Sequence, residues 1–253
     1  MQWQGVILTT FFKNIMALTD NLQAFYKLSD TSDSSGYNRT LTNNNNVTFA
    51  PGKIGDAGVF DGSNSLTKEN NGLNISSAFS IAGWVFSNTT ESSRGWIFLS
   101  SDTQNELPVL GFWFDPSSAR ELRFSCDYGD GWSDRFSSTG SVPLSQWTHV
   151  ALSQDATGVK FYINGQFDSF HEQVDSSVIS SNAFSFGTDF PFYSQQFAGS
   201  LDATGIWNRA LSDAEFAELY NNGTGLELDG VAQPTLVKLQ APVKFMGKVK
   251  FGV

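Results

Sequence analysis

The chain has 253 residues, and 25 acidic against 15 basic side chains leave it at −10. That balance excludes a nucleic-acid partner, whose phosphates require a basic footprint, and an anionic membrane surface, while cations and neutral polar ligands stay open. Twenty-three Phe, seven Trp and six Tyr beside 23 Gly favour strands and tight turns over helices, and the length suits one large all-β domain.

Residues 1–17 carry Val6, Ile7, Leu8, Phe11, Phe12 and Ile15. No basic residue precedes this run and no small-residue cleavage site follows, so it is a poor signal peptide, and it is too short and interrupted to span a bilayer. Met16-Ala-Leu-Thr-Asp has the look of a start, so 1–17 reads as an N-terminal extension. The plainer reading is a strand or short helix. Leu22 to Leu28 alternates as a strand and runs into Asp30-Thr-Ser-Asp33-Ser-Ser-Gly36, a loop of turn formers. Further strands are expected at 57–60, 79–86, 95–101, 109–114, 121–127, 147–153, 158–163 and 183–187. Asn164-Gly165 between 159–163 and 166–170 signals a type I′ hairpin, since both central residues must accept positive φ. Leu201, Ala203, Gly205 and Trp207 alternate as one face of a last strand, and Leu211, Phe216, Leu219 and Tyr220 follow at helical spacing. Ser212 and Glu215 form a capping box, with Gly223 as the stop. Beyond 228 the chain turns basic: Thr235-Leu-Val-Lys-Leu239 and Val243-Lys-Phe-Met-Gly-Lys-Val-Lys-Phe251 alternate, punctuated by Pro234 and Pro242. Many short strands with one late helix describe an all-β, two-sheet antiparallel sandwich over 18–228. The tail 229–253 is either packed on the body or, through 231–253, adds strands to a partner.

Cys126 is the sole cysteine, so no intrachain disulfide forms. His149 and His171 are too few and too far apart in sequence for a zinc site, and His149 reads as a hydrogen-bonded core or rim residue.

Six stretches, in order, resemble the laminin G-like jelly rolls of the concanavalin A-like lectin/glucanase superfamily. They are Ala24-Phe-Tyr-Lys-Leu28 with Asp33-Ser-Ser-Gly36; Gly52-Lys-Ile-Gly55 through Val59-Phe-Asp-Gly-Ser63; Phe79-Ser-Ile-Ala-Gly-Trp-Val85; Trp147-Thr-His-Val-Ala151; Val159-Lys-Phe-Tyr-Ile-Asn-Gly165; and Gly199-Ser-Leu-Asp202 with Asn208-Arg-Ala-Leu-Ser212. In such a fold Trp84, Trp147, Phe161 and Trp207 are expected to fill the core between the sheets. The resemblance implies a structural Ca2+, held by carboxylates and loop carbonyls, and the matching positions are Asp33 and Asp202, with Asp30 a weaker addition.

Fold resemblance leaves function open, because the superfamily holds lectins, adhesion modules, glycosidases, lyases and virion components. Glucanases of this fold use Glu-x-Asp-x-Glu along one strand, which this chain lacks; Glu227-Leu-Asp229 has no third carboxylate. Gly-x-Ser-x-Gly is missing as well. A glycan site needs aromatic faces for sugar C–H groups and nearby polar groups for hydroxyls. Two loops qualify: Asp127–Asp134, with Tyr128, Asp130, Trp132 and Asp134, and Asp189–Tyr193, with Phe192 and Tyr193. Turn and packing duty is the plainer reading of each. The expectation is a non-catalytic carbohydrate-recognition or adhesion module shown on a cell surface or phage virion. The alternatives are a structural head, tail or decoration component of a virion without a glycan ligand, and a glycan-degrading enzyme.

Overall fold

The structure is a computed structural model that describes residues 18–70, 72–75, 77–87, 95–102, 107–115, 120–127, 132–136, 142–172, 179–180, 183–188 and 196–228. In chain order the strands are β1 (Leu22–Tyr26), β2 (Thr42–Asn44), β3 (Thr48–Pro51), β4 (Asp56–Asp61), β5 (Ser65–Glu69), β6 (Asn74–Ile75), β7 (Phe79–Phe86), β8 (Gly95–Asp102) and β9 (Leu107–Phe114). They continue as β10 (Leu122–Asp127), β11 (Trp132–Phe136), β12 (Thr148–Asp155), β13 (Gly158–Ile163), β14 (Gln166–Glu172), β15 (Ile179–Ser180), β16 (Ala183–Phe186) and β17 (Ala198–Trp207), followed by helix α1 (Asp213–Tyr220). An eight-stranded sheet runs β14-β13-β12-β7-β17-β4-β3 with β1 also on β17, and a seven-stranded sheet runs β11-β10-β9-β8-β16-β5-β2. The short pair β15-β6 stands apart. The expected two-sheet antiparallel sandwich is what the chain forms. Residues 1–17 and 229–253 lie outside the described residues.

Two apolar clusters hold the fold. The first lies between the sheets and includes Tyr26, Phe60, Phe79, Val85, Phe112, Phe124, Phe161, Phe184 and Leu201. The second covers the outer face of the eight-stranded sheet, where Leu18, Phe25, Trp84, Tyr162 and Trp207 meet Leu211, Phe216 and Leu219 of the helical segment and Leu228. Three of the four aromatics expected between the sheets therefore belong elsewhere. Trp84 and Trp207 are in the outer cluster and Trp147 packs against it, while Phe161 alone is in the inter-sheet core. The cause is α1: a sheet covered by a helix on one face and a second sheet on the other buries both faces of its central strands. Seven of the eight residues of β7 are buried accordingly.

Strand β17 departs from simple alternation. Its register on β7 shifts between Asp202 and Gly205, and Ala203 takes φ 44°. A bulge moves later residues to the opposite face. Leu201 and Ile206 point into the inter-sheet core, whereas Ala203 and Trp207 join the outer cluster. The capping box forms as read: Ser212 Oγ accepts from Glu215 N, and the Glu215 carboxylate accepts from Ser212 N at 2.9 Å. Arg209 adds a 2.5 Å ion pair to the same carboxylate. The helix stops earlier than expected, because Asn221 adopts the left-handed conformation at φ 48° and its N–H donates to Ala217 O. Asn tolerates that conformation through local hydrogen bonding, so Gly223 is not the stop. At the Asn164-Gly165 turn both residues have positive φ, 50° and 72°, as the hairpin requires.

Candidate functional site

Asp202 is fully buried on the outer face of the eight-stranded sheet, beside Trp84 in register. One carboxylate oxygen, Oδ2, accepts from Lys53 N at 2.8 Å and Ile54 N at 2.9 Å, both in the turn that joins β3 to β4. A side chain at Gly52 would collide with that oxygen, which is why the turn closes with glycine there. The other oxygen, Oδ1, is buried and has no hydrogen-bond partner. Burial pushes the Asp202 carboxyl up to about 6; the Ile54 and Lys53 N–H groups pull it down, and the Glu227 carboxylate pushes it further up. Glu227 itself pairs with Lys27 at 2.9 Å. Lys53 Nζ lies 4.6 Å from the Trp84 ring centroid. A buried carboxylate oxygen without a donor is stabilised by a proton or a metal ion, and in that respect Asp202 fits a hard cation.

Asp33 is differently engaged. Its Oδ1 accepts from Phe25 N at 3.2 Å and Ser35 N at 2.8 Å, and its Oδ2 accepts from Arg39 N at 3.1 Å. Those bonds fold the 27–41 loop back onto β1, and Tyr26 Oη donates to Arg39 O at 2.7 Å to lock it. Asp30 accepts from Ser32 N at 2.7 Å in an exposed turn. Both have turn duty, and among the described residues no three His, Cys, Asp or Glu side chains gather as a metal cluster. The three expected metal positions are therefore not brought together as one carboxylate set. The sequence reading missed the partners that do surround Asp202, although Gly52-Lys-Ile-Gly55 was in plain view as a motif.

Of the ligand residues, Tyr128, Asp130, Phe192 and Tyr193 lie outside the described residues. Trp132 and Asp134 are on β11, where the backbone register sets them opposite Asp127 and Ser125. Ser125 begins a row across the outer face of the seven-stranded sheet, through Gly111 on β9, the Leu99 position on β8, Ser185 on β16 and Thr67 on β5. Thr67, Ser185, Gly111 and Ser125 are all buried. Their strand neighbours Leu66, Phe184, Leu110, Phe112 and Phe124 fill the inter-sheet core, so alternation directs the small polar residues outward. In the next row Trp113 is buried beside Arg123, whose Nη2 pairs with Asp115 Oδ2 at 2.8 Å. The sandwich thus has one outer face largely covered by its own helix and another crossed by a row of three hydroxyl residues, a glycine and the Leu99 position.

His149, in register with Trp84 on the far side from Asp202, is buried with Nδ1 unpartnered. Its ring meets Trp84 edge-on at 5.3 Å. Burial drives its pKa down to about 3, so it is neutral. The expected hydrogen bond reaches its backbone only, where His149 N donates to Asn164 Oδ1 at 3.1 Å.

Two antiparallel sheets, a helix closing one outer face and a polar row on the other define a jelly-roll β-sandwich of the lectin-like kind. The chain belongs to the concanavalin A-like lectin/glucanases superfamily, whose laminin G-type family model matches residues 60–217, more than half its length. Among curated proteins none is similar to it. Solved structures that share the fold include the following three. Domain 4 of AbnA, a GH43 extracellular arabinanase from Geobacillus stearothermophilus, solved in complex with arabinotriose, is 23% identical, with 78% of this chain and 97% of that domain covered at TM-score 0.63. The binding domain of Paraclostridial Mosquitocidal Protein 1 is 19% identical, with 81% and 53% covered at TM-score 0.65. The binding domain of Botulinum neurotoxin DC, solved with rat synaptotagmin II, is 16% identical, with 81% and 52% covered at TM-score 0.64. This chain spans about half of each toxin domain. Among the described residues no helix is long and apolar enough to cross a membrane.

Proposed function

We propose that this protein is a non-catalytic binding module whose ligand is a surface carbohydrate, met at the edge loops of the seven-stranded sheet. The observation that carries the reading is the Thr67–Ser185–Gly111–Ser125 row, continued in register to Asp134. Small hydroxyl residues on a rigid sheet provide a polar floor for the loops that present aromatic and carboxylate groups to sugar hydroxyls. Much of the opposite outer face is already covered by α1 and Leu228. The arabinanase domain supports the same reading, since it matches over nearly its whole length and was solved with a trisaccharide. Tyr128, Asp130, Trp132, Asp134, Phe192 and Tyr193 remain the proposed sugar contacts, and display on a cell surface or virion is the proposed setting.

Calcium is proposed at Asp202 rather than at Asp33, because only Asp202 has a buried carboxylate oxygen without a donor. Bound there, the ion would supply positive charge opposite the buried Asp202 carboxylate. A glycan array with the intact protein, followed by calorimetry on the hits with and without chelator, tests the ligand. Binding of defined oligosaccharides without product release supports the module. Silence across the array, or cleavage of a polysaccharide panel, refutes it.

A further inference from the structure

The outer face of the eight-stranded sheet is not wholly covered. One row beyond Trp84 and Asp202, towards the far ends of β7 and β17, Trp147 and Phe86 pack with ring centroids 5.6 Å apart. Phe86 is in register with Ser200, Ser200 with Val59, and Val59 with Thr48. Trp147, Phe86, Ser200 and Val59 are half-buried and Thr48 is exposed. The row crosses five strand positions, about 19 Å at the usual spacing. It is apolar at three places and open to solvent.

The chain leaves the described structure on the same outer face. Leu228 is 2% exposed in the outer cluster with Trp84, and Ile54 and Leu226 pack against the same cluster. Twenty-five residues follow, 229–253, carrying four Lys and one Asp, a charge of +3 against −13 for residues 1–228. Within them Val243, Phe245, Val249 and Phe251 alternate with Lys244, Lys248 and Lys250. In extended backbone that pattern gives one apolar and one cationic face, and nine residues span about 30 Å. The row's rim is acidic where Asp56 and Asp61, both exposed, end β4.

We propose that residues 243–251 lie extended across the Trp147–Phe86–Ser200–Val59–Thr48 row of the same molecule, so that the basic tail closes the outer face of the eight-stranded sheet. Val and Phe side chains of the tail cover Phe86, Trp147 and Val59, and its lysines face the acidic rim. Exit on the same face makes the ordering cost of an intramolecular contact lower than that of reaching a partner.

Two measurements on the full chain test this. With photoreactive benzoylphenylalanine replacing Phe245 or Phe251, irradiation should give cross-links within one molecule, in peptides holding Val59, Phe86 or Trp147. Cross-links that join two copies, that fall on another surface, or that do not form overturn the proposal. In the second, trypsin release of the peptides ending at Lys244, Lys248 and Lys250 follows the undocked population. Val59→Asp should speed it by about tenfold if the tail is docked nine times in ten. Equal rates in the two proteins overturn it, and if Val59→Asp does not fold the cross-linking decides alone.

Discussion

Asp202→Asn is the sharpest probe of the cradle. The carboxyl is held at about 6 in the folded protein against an ordinary value of 3.8, so the folded state binds the proton more tightly than the unfolded one. Stability from this group is therefore greatest in acid, falls as pH rises from about 4 through about 6, and is flat above that. Two pH units at about 1.4 kcal/mol each give roughly 3 kcal/mol of penalty at neutral pH in the absence of a cation. Asn keeps an acceptor for Lys53 N and Ile54 N but carries no charge. In chelator the wild type should lose up to about 3 kcal/mol relative to the variant between pH 4 and 8, or roughly 6–12 °C in Tm for a domain of this size. His149 has the opposite slope, since its depressed pKa makes stability fall as pH drops from 6.5 towards about 3. It is common to both proteins, so the difference between the two urea-melt curves isolates Asp202. Calcium then separates proton from metal: at 100 times its Kd it should return about 2.7 kcal/mol to the wild type and nothing to the variant. Parallel pH profiles in chelator would refute the reasoning for the carboxyl, and an equal calcium response would refute it for the metal.

Asp33→Ala should cost roughly 2–3 kcal/mol in urea melts, because three backbone N–H groups lose their acceptor, and calcium should not alter that cost. Ser212→Ala removes the helix cap and should lower stability by about 1 kcal/mol, with Arg209–Glu215 still paired. Phe216 is fully buried with its ring 4.1 Å from that of Tyr162, so Phe216→Ala should cost about 3–5 kcal/mol, read from the denaturant midpoint. His149→Phe retains the packing on Trp84 and should remove the acid-limb loss between pH 6.5 and 3, up to about 5 kcal/mol, when compared with the wild type in acid titrations.

How far the sequence discloses this molecule depends on what each residue's signal is local to. The strands of high apolar content, the Asn164-Gly165 hairpin and the Ser212–Glu215 box are legible because their causes lie within a few residues. Trp84 and Trp207 mislead for the opposite reason: an apolar residue on a strand signals burial without saying which face, and only the packing of Phe216 and Leu219 against the sheet settles it. The bulge at Asp202 is invisible in an alternating string, yet it is what places Leu201 and Trp207, six positions apart, on opposite faces. The site follows the same division. Asp202 stands out in sequence as an acid on an apolar strand, but its meaning comes from Lys53 and Ile54, some 150 positions away. Asp33 looks equivalent in sequence, and its three backbone donors make it a loop fastener instead. A carboxylate with an N–H donor on each oxygen is already satisfied where it stands, whereas one with a buried, unmatched oxygen is costly unless something arrives to meet it. That asymmetry, rather than the presence of aspartate in a familiar motif, is what selects Asp202 as the residue to test for calcium.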